Sequence, residues 1–506
     1  MKISYYFPKG MIIMLKYSTP EKEGINSAHI LEYVKSLEDM QLATHDIIIM
    51  RHGKIVFEKY WEPFHKDFAH RQYSVTKSFV SLAIGFAEQD GLLNLDDPIS
   101  KYFPEEAKAS KYDEQKNQTI RQMLMMSTSL NDRSWFAAKP DDRAAFYFEN
   151  DTPTLHPAGT LYIYDSAGSF MMGALVERVT GKTLMEYLRE KMFDKIGVSK
   201  EAKILKCPGG HSWGDSALIC KPTDMLKSAM FCMNKGCWNG EQLLNEEYIT
   251  KATTKQIDNS RFGYNNFDCQ GYGYQFWMTY DGGFFFNGMG VQLTVCIPEY
   301  DMILVYNADD QGNPTLAKSL VMNNFFNMIA RKAKDEEITG NEEAQKALED
   351  YTKDLKLYTA RGEKYMPMQD TISGVTYKLY ENPMGIKDIK VVFDGDEGKL
   401  CYTNAQGYKE ITFGMCKNVF GKFPQKGYSN EMGSKEGTEL YKCAASAAWV
   451  SDFQLYMKVQ IIDEYFGVLN INLGFTDGGN KIGVAMEKVA EDFLKEYQGF
   501  TGGVRA

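Results

Sequence analysis

The chain places a serine and a lysine three residues apart in the tetrapeptide Ser74-Val75-Thr76-Lys77. The apolar residues that follow recur at helical spacing and Gly91 provides a natural stop, so the sequence predicts a helix that begins here. Residues three apart on a helix share one face. A hydroxyl at a helix N-terminus lies near N–H groups that favour negative charge, and a lysine in apolar surroundings loses proton affinity. The pair is therefore typical of a serine nucleophile with an activating lysine.

Composition limits the classes of function. The chain has 506 residues, more than one domain usually holds, and a 44% hydrophobic fraction that is enough for large cores. Its formal net charge of −10 argues against nucleic-acid binding, which needs clustered lysines and arginines. No apolar run has the length of a bilayer-spanning helix, and the start MKISYYFPKGMIIMLKY does not resemble a secretory signal. We therefore expect a cytoplasmic protein without nucleic-acid or membrane partners.

The cysteines give no sign of cross-links or of a metal. They number nine and are scattered, which indicates reduced thiols. No CxxC pair occurs, and Cys232 and Cys237 lack the further ligands that a zinc site needs. The sequence thus predicts no metal and no cofactor.

The order of predicted elements indicates two folded domains. In residues 20–335 a helix and a β-hairpin come first, helices dominate the middle, and four strands and a helix follow. This order predicts one mixed α/β domain whose sheet joins N-terminal and C-terminal strands. Residues 1–19 are an N-terminal extension, and residues 336–365 are a charged linker or helix. In residues 366–506, short β-rich runs between turn residues predict an antiparallel, barrel-like domain of unknown role.

Further motifs follow the tetrapeptide in order. They are GLLNLDDPISKYFPE, TIRQMLMMSTSL, PAGTLYIYDSAGSFMMGALVERVTG, SALICKPTDMLKSAM and GMGVQLTVCIPEYDMILV. Over residues 20–335 the run resembles the serine β-lactamase and penicillin-binding-protein superfamily, and it is most similar to the class C β-lactamase branch with its related esterases, peptidases and amide hydrolases. Several motifs in order are far more specific than one serine and one lysine. The resemblance implies an α+β, β-lactamase/transpeptidase-like fold, in which helices flank an antiparallel sheet. It also implies an acyl-enzyme intermediate.

The resemblance also implies roles for individual residues. Ser74 matches the family nucleophile, and Lys77 matches the lysine that takes its proton. Tyr164 matches the tyrosine of the YxN motif; a phenol titrates near pKa ~10, so a phenolic base needs positive charge nearby. The family's Lys-Thr-Gly strand motif falls at Phe286-Asn287-Gly288. The backbone N–H groups of Ser74 and Met289 would then form the oxyanion hole.

Two residues depart from the family pattern. Ser166 stands where most relatives have asparagine, and a hydroxyl lacks the second donor of an amide. Phe286 stands where a lysine or histidine usually faces the carboxylate of β-lactams, and a phenyl ring cannot make that contact. We therefore expect a substrate site formed by Ser166, Phe286, Asn287 and Gly288 that takes a small ester, amide or peptide and acts weakly on β-lactams.

One competing motif is Gly210-His211-Ser212-Trp213-Gly214, which matches the GxSxG pattern of α/β-hydrolase nucleophiles. That mechanism needs a catalytic histidine later in the chain, and no histidine follows His211. We therefore interpret Ser212 as structural.

Alternatives stay open at this point. If Ser166 does not support deacylation, the domain is an acylated sensor or binding module rather than a serine hydrolase. If an alcohol or amine replaces water, it is an acyltransferase. The C-terminal domain could form a homo-oligomer, bind another partner or cap the active site.

Overall fold

The computed structural model describes residues 15–129, 135–136, 138, 140–149, 156–261, 263, 265–428, 439–490 and 496–506. Residues 1–14, most of the predicted N-terminal extension, lie outside this part. The chain divides into a first unit that ends at Lys356 and a second unit that begins at Leu357. Among the described residues, no helix is both long and apolar enough to cross a bilayer.

The first unit contains both helices and strands, and its helices dominate the middle. Its α-helices are α1 (Ser27–Asp39), α2 (Thr76–Gln89), α3 (Asp113–Asn117), α4 (Ile120–Leu124), α5 (Arg143–Glu149), α6 (Ser166–Thr180), α7 (Leu184–Leu188), α8 (Asp194–Ile196), α9 (Pro222–Met233), α10 (Glu246–Ala252), α11 (Pro314–Asn324) and α12 (Glu342–Thr352). Its strands are β1 (Lys16–Tyr17), β2 (Thr44–Arg51), β3 (Lys54–Tyr60), β4 (His70–Arg71), β5 (Lys203–Ile204), β6 (Leu218–Cys220), β7 (Cys237–Trp238), β8 (Glu241–Gln242), β9 (Trp277–Met278), β10 (Phe284–Gly288), β11 (Gln292–Ile297) and β12 (Met302–Ala308).

The main sheet of this unit joins strands from both ends of the unit, as predicted. Its strand order is β1-β3-β2-β12-β11-β10-β9. Only β1 and β3 are parallel; the other neighbours are antiparallel. The N-terminal β2 lies beside the C-terminal β12, with Ile47 opposite Tyr306. Two smaller sheets have the orders β4-β6-β5 and β7-β8.

Helices cover both faces of this sheet. On one face, the apolar residues of α1 recur at helical spacing and pack with Ile47, Phe285, Leu304 and the residues after α11 in one core. On the other face lies α2, which is buried from Thr76 to Ala87. A helix that is apolar around most of its circumference belongs inside a large domain. The observed architecture confirms the predicted α+β, β-lactamase-like fold.

The second unit is a closed β-barrel preceded by the short helix α13 (Met368–Ile372). Its strands are β13 (Thr376–Leu379), β14 (Asp388–Asp394), β15 (Glu397–Asn404), β16 (Gly407–Met415), β17 (Val419–Tyr428), β18 (Glu439–Ser451), β19 (Gln454–Ile462), β20 (Phe466–Thr476), β21 (Lys481–Ala490) and β22 (Gly499–Arg505). The order is β16-β15-β14-β13-β22-β21-β20-β19-β18-β17, and a parallel pairing of β16 with β18 closes the ring. The predicted barrel-like domain is thus confirmed.

Several strands differ from the sequence prediction. Neither β17 nor β22 was predicted, because Pro424 and a glycine-rich stretch weaken the strand signal. Pro424 is tolerated because β17 pairs with β18 alone, with a register shift between Lys422 and Lys426. One of the four strands expected near the end of residues 20–335 is the run YGYQFWMTY. Only β9 forms within it, because Gln275 has a φ of 62° and its N–H bonds to the carbonyl of Leu124.

Candidate active site

Ser74 lies in the turn that leads into α2. Residues Tyr73–Val75 form a single 3-10 turn, and α2 begins at Thr76. The Thr76 hydroxyl donates to the Tyr73 carbonyl at 2.6 Å and accepts the N–H of Leu218 at 2.9 Å. The N–H of Gln72 donates to the Leu218 carbonyl at 2.8 Å. The turn that carries Ser74 is therefore held on β6 from both sides.

The Lys77 ammonium joins the serine to a backbone carbonyl. Its Nζ donates to Ser74 Oγ at 3.1 Å and to the carbonyl of Asp215 at 2.8 Å. The residue is only 1% exposed. Nζ also lies 5.1 Å from the centroid of the Tyr164 ring, within the range of a cation–π contact. The structure thus brings Ser74, Lys77 and Tyr164 together.

Tyr164 stands at the entrance to α6. Asp165 caps this helix, and its carboxylate accepts the N–H of Gly168 at 2.9 Å and the hydroxyl of Thr128 at 2.7 Å. The ring of Tyr164 lies 5.8 Å from that of Trp277 and stays 40% exposed. Ser166 is the first residue of α6 and is half-buried. The tyrosine is therefore held by a capped helix start but remains accessible to a ligand.

The end of β10 closes on the nucleophile turn. A Cβ on Gly288 would lie 2.3 Å from the carbonyl oxygen of Gln72, so only glycine permits this approach. Met289 follows and is 38% exposed. Asn287 is partly exposed, and its Oδ1 has no hydrogen-bond partner among the described residues. This strand end is where the N–H of Met289 is expected to complete the oxyanion hole.

Phe286 lies in the core rather than at the surface. It has no exposed surface, and its ring centroid is 5.8 Å from that of Phe79 on α2 and 4.9 Å from that of Phe276. The position for which the sequence resemblance implies a cation is therefore filled by part of an aromatic cluster. As the chain stands, Phe286 offers no exposed surface to a ligand.

Asp215 and Gln275 support the site, but the sequence analysis did not predict a role for them. The Asp215 carboxylate is buried and accepts from Trp135 Nε1 at 2.9 Å, while its carbonyl accepts from Lys77. The Gln275 amide accepts from Ser169 of α6 at 2.8 Å, and its carbonyl accepts from Ser78 of α2 at 2.7 Å. The contacts with Lys77 and Ser78 use backbone carbonyls, which carry no residue signature, and the contacts with Trp135 and Ser169 join residues far apart in the sequence. No local motif therefore marks these positions.

Ser212 is buried, with 2% of its surface exposed. Its backbone N–H donates to the Glu177 carboxylate at 3.2 Å, and His211 Nδ1 lies 2.8 Å from the same carboxylate. These contacts agree with a structural interpretation of the GxSxG segment.

Known proteins resemble this chain in sequence. A family model described as Beta-lactamase matches residues 36–323, more than half of the chain. A 6-aminohexanoate-dimer hydrolase of Paenarthrobacter ureafaciens is 24% identical over 227 residues, which cover 41% of this chain and 57% of that protein. A proposed D-alanyl-D-alanine carboxypeptidase of Escherichia coli K12 is 25% identical over 221 residues, which cover 37% of this chain and 50% of that protein. The chain thus spans about half the length of these two relatives.

Solved structures share the fold. A proposed 6-aminohexanoate-dimer hydrolase from Bacillus anthracis superimposes with a TM-score of 0.52 at 17% identity, covering 64% of this chain and 88% of that chain. A proposed β-lactamase from Bacteroides dorei DSM 17855 superimposes with a TM-score of 0.50 at 15% identity, covering 59% of this chain and 97% of that chain. At these identities the likeness concerns the fold alone.

Proposed function

This chain belongs to the Beta-lactamase family, and from that premise we propose that it is a serine hydrolase that cleaves an ester or amide through a covalent acyl-serine intermediate. The observation that carries the proposal is the 3.1 Å contact between Lys77 Nζ and Ser74 Oγ at the start of α2. A nucleophile in hydrogen-bond contact with its activating base is the recurrent arrangement of such enzymes. The exposed Tyr164 beside Lys77 supplies a second group for proton transfer.

The reaction proceeds in two halves. The Lys77–Tyr164 pair enters the reaction one proton short, as the Lys77 ammonium beside the Tyr164 phenolate. Ser74 Oγ forms a bond to the substrate carbonyl carbon while its proton passes to this pair, and the N–H groups of Ser74 and Met289 stabilise the oxyanion by roughly 3 kcal/mol each. Tyr164 then gives a proton to the leaving oxygen or nitrogen as that bond breaks. Water adds to the acyl carbon, its proton passes to the same pair, and Ser74 regains a proton when the acid leaves.

The proposed substrate is a neutral ester or amide. The side chain at position 286 is a buried phenyl ring, so it supplies no cation for a substrate carboxylate. Among the described residues of the site, the exposed side chains of Tyr164 and Met289 are largely apolar, and the partly exposed Ser166 and Asn287 are polar but uncharged. The two curated relatives are named as hydrolases of a 6-aminohexanoate dimer and of a D-alanyl-D-alanine substrate, which favours an amide or ester bond as the target.

Covalent labelling tests this function. We expect a fluorophosphonate probe to label the wild-type chain and the Ser212→Ala variant but not the Ser74→Ala variant. Labelling that persists in Ser74→Ala would refute the nucleophile assignment. Ser212→Ala is the matched control, because it removes the other serine that lies in a nucleophile-like motif.

Intact mass after addition of a p-nitrophenyl ester separates the hydrolase from its alternatives. A transient adduct on Ser74 with release of acid is the expected result. A permanent adduct would identify an acylated sensor or binding module, and transfer of the acyl group to an added alcohol would identify an acyltransferase.

A further inference from the structure

Three buried polar side chains form a continuous chain, here called the Asp46 chain, from the centre of the main sheet to the nucleophile turn. Asp46 on β2 and Asn307 on β12 are cross-strand partners, and Asn307 Nδ2 donates to Asp46 Oδ1 at 2.8 Å. Gln72 Nε2 donates to Asn307 Oδ1 at 3.2 Å. Each residue is at most 1% exposed. Buried polar groups specify one arrangement when they are hydrogen-bonded to each other.

The Asp46 chain ends on a peptide that contacts both sides of the predicted oxyanion hole. The carbonyl of Gln72 accepts the N–H of Val75 at 3.1 Å, within the turn that carries Ser74. The same carbonyl is the group that Gly288 approaches so closely that a Cβ would lie 2.3 Å away. A shift of Gln72 would therefore move the Ser74 turn relative to the strand end that precedes Met289.

The backbone between Gln72 and Ser74 is strained. Tyr73 has a φ of 47°, in the left-handed region that residues other than glycine rarely adopt. Such a conformation persists only where surrounding contacts determine it. The contacts here are the side-chain anchor of Gln72, the Thr76 hydroxyl on the Tyr73 carbonyl, and the Arg71 guanidinium 4.5 Å from the Tyr73 ring centroid.

The far end of the Asp46 chain is a buried carboxyl–imidazole pair. Asp46 Oδ2 lies 3.5 Å from His70 Nε2, and both side chains are fully buried. Burial raises the pKa of the Asp46 carboxyl well above its ordinary value and lowers the pKa of the His70 imidazole to about 3. Asp46 Oδ1 accepts the bond from Asn307 Nδ2, and the side-chain oxygen of an amide can accept the same bond. Asparagine at this position therefore keeps the contact.

We propose that Asp46, Asn307 and Gln72 are positioning residues that hold the nucleophile turn against the end of β10 and thereby set the geometry of the oxyanion hole. The proposal rests on the acyl-serine function proposed above. These residues act through the Gln72 peptide and not through contact with substrate. Their loss is therefore expected to slow acylation while substrate binding is retained.

The test compares one substitution in the Asp46 chain with a matched substitution outside the Asp46 chain. Asn307→Leu removes the central amide at similar volume, and we expect the rate constant of fluorophosphonate labelling and the kcat for a p-nitrophenyl ester to fall about 10- to 100-fold with KM nearly unchanged. Thr44→Val removes the buried hydrogen bond of 2.9 Å between Thr44 Oγ1 and the Tyr306 hydroxyl on the same two strands. This control should keep the wild-type rates.

Conservative variants give the second readout. Asp46→Asn should keep near wild-type rates, because it preserves the acceptor for Asn307, whereas Asp46→Leu should resemble Asn307→Leu. If Asn307→Leu does not fold, Gln72→Met removes the same contact from its other end and carries the same expectation.

Equal losses of thermal stability in Asn307→Leu and Thr44→Val, with the labelling rate unchanged in both, would overturn the proposal and leave a purely structural role. Absence of labelling in the wild-type chain would instead refute the acyl-serine function itself. The two failures are therefore distinguishable.

Discussion

At the residue scale, the environment of Lys77 explains how one lysine contacts both Ser74 and Tyr164. An ammonium group carries three N–H donors, and a buried one is costly unless those donors are used. Ser74 Oγ and the Asp215 carbonyl take two of them, at 3.1 Å and 2.8 Å. The Tyr164 ring lies beside the same ammonium. The lysine is thus oriented by one residue on its own helix turn and by two that are distant in sequence.

Tyr164→Phe tests the proposed leaving-group acid. We expect kcat to fall by about 10²- to 10⁴-fold for an amide or an alkyl ester and by a smaller factor for a p-nitrophenyl ester, because both substrates lose Tyr164 as a proton acceptor but p-nitrophenolate leaves without a proton. The melting temperature should stay unchanged, since the side chain is 40% exposed. Steady-state kinetics on the two substrate types provide the measurement.

The neighbouring variant Tyr162→Phe is the control for this experiment, because its ring packs against Tyr272 and Trp277 and is kept in the variant. An equal loss on both substrate types in Tyr164→Phe would argue against a role in leaving-group protonation.

At the element scale, the five residues of β10 both pack in the core and approach the proposed site. Successive side chains of a strand alternate between faces. Phe285 faces the core with α1, whereas Phe286 packs on Phe79 of α2. Gly288 then ends the strand at a point where the Gln72 carbonyl occupies the space that a side chain would need. The aromatic residues fix the position of the strand, and the glycine allows it to reach the nucleophile turn.

Gly288→Ala should move the end of β10 away from the turn that carries Ser74. Its Cβ would meet the Gln72 carbonyl at 2.3 Å and Gln292 Cβ at 3.0 Å, so backbone must move. We expect a loss of about 100-fold in kcat/KM, as for other misplacements near 1 Å, and a destabilisation of roughly 1–3 kcal/mol. Ester hydrolysis and thermal unfolding measure the two effects.

Gly340→Ala is the matched control, because a Cβ there meets no atom within 4 Å. Wild-type activity in Gly288→Ala would show that the close approach of β10 is not needed for the reaction.

At the scale of the whole molecule, the contacts described for the proposed site lie within the first unit. Ser74, Lys77, Tyr164, Asp215 and Gly288 all precede Lys356, where that unit ends. The second unit closes its own barrel through the pairs Gly414–Ser446 and Met415–Ala447. Its role as an oligomerising module, a partner-binding module or a cap stays a prediction.

A chain truncated after Lys356 tests these roles. We expect a fluorophosphonate to label Ser74 in the truncated chain, because the described site contacts are retained. Loss of labelling in a truncated chain that keeps its helical circular dichroism would show that the barrel contributes to the site. Faster hydrolysis of bulky esters after truncation would support a cap, and a smaller assembly in size-exclusion chromatography would support an oligomerising role.

Much of the fold and part of the site could be predicted because their signals are local. The spacing of Ser74 and Lys77, the apolar periodicity of α2 and the strand-forming runs at both ends of the first unit are readable from neighbouring residues. The order of motifs indicated the family. Strands such as β17 and β22 were not predicted, because their proline and glycine residues weaken the local strand pattern. Pairing with the neighbouring strands stabilises them nonetheless.

The sequence by itself therefore determined which residues carry the proposed chemistry, since nucleophile and base lie within one helical turn. Only the tertiary structure decided what holds them. It placed the Asp215 carbonyl on Lys77, buried Phe286 against α2 and connected Asp46 to the nucleophile turn through Asn307 and Gln72. These contacts join residues far apart in the chain, and several use backbone atoms that every residue shares, so no sequence pattern marks them.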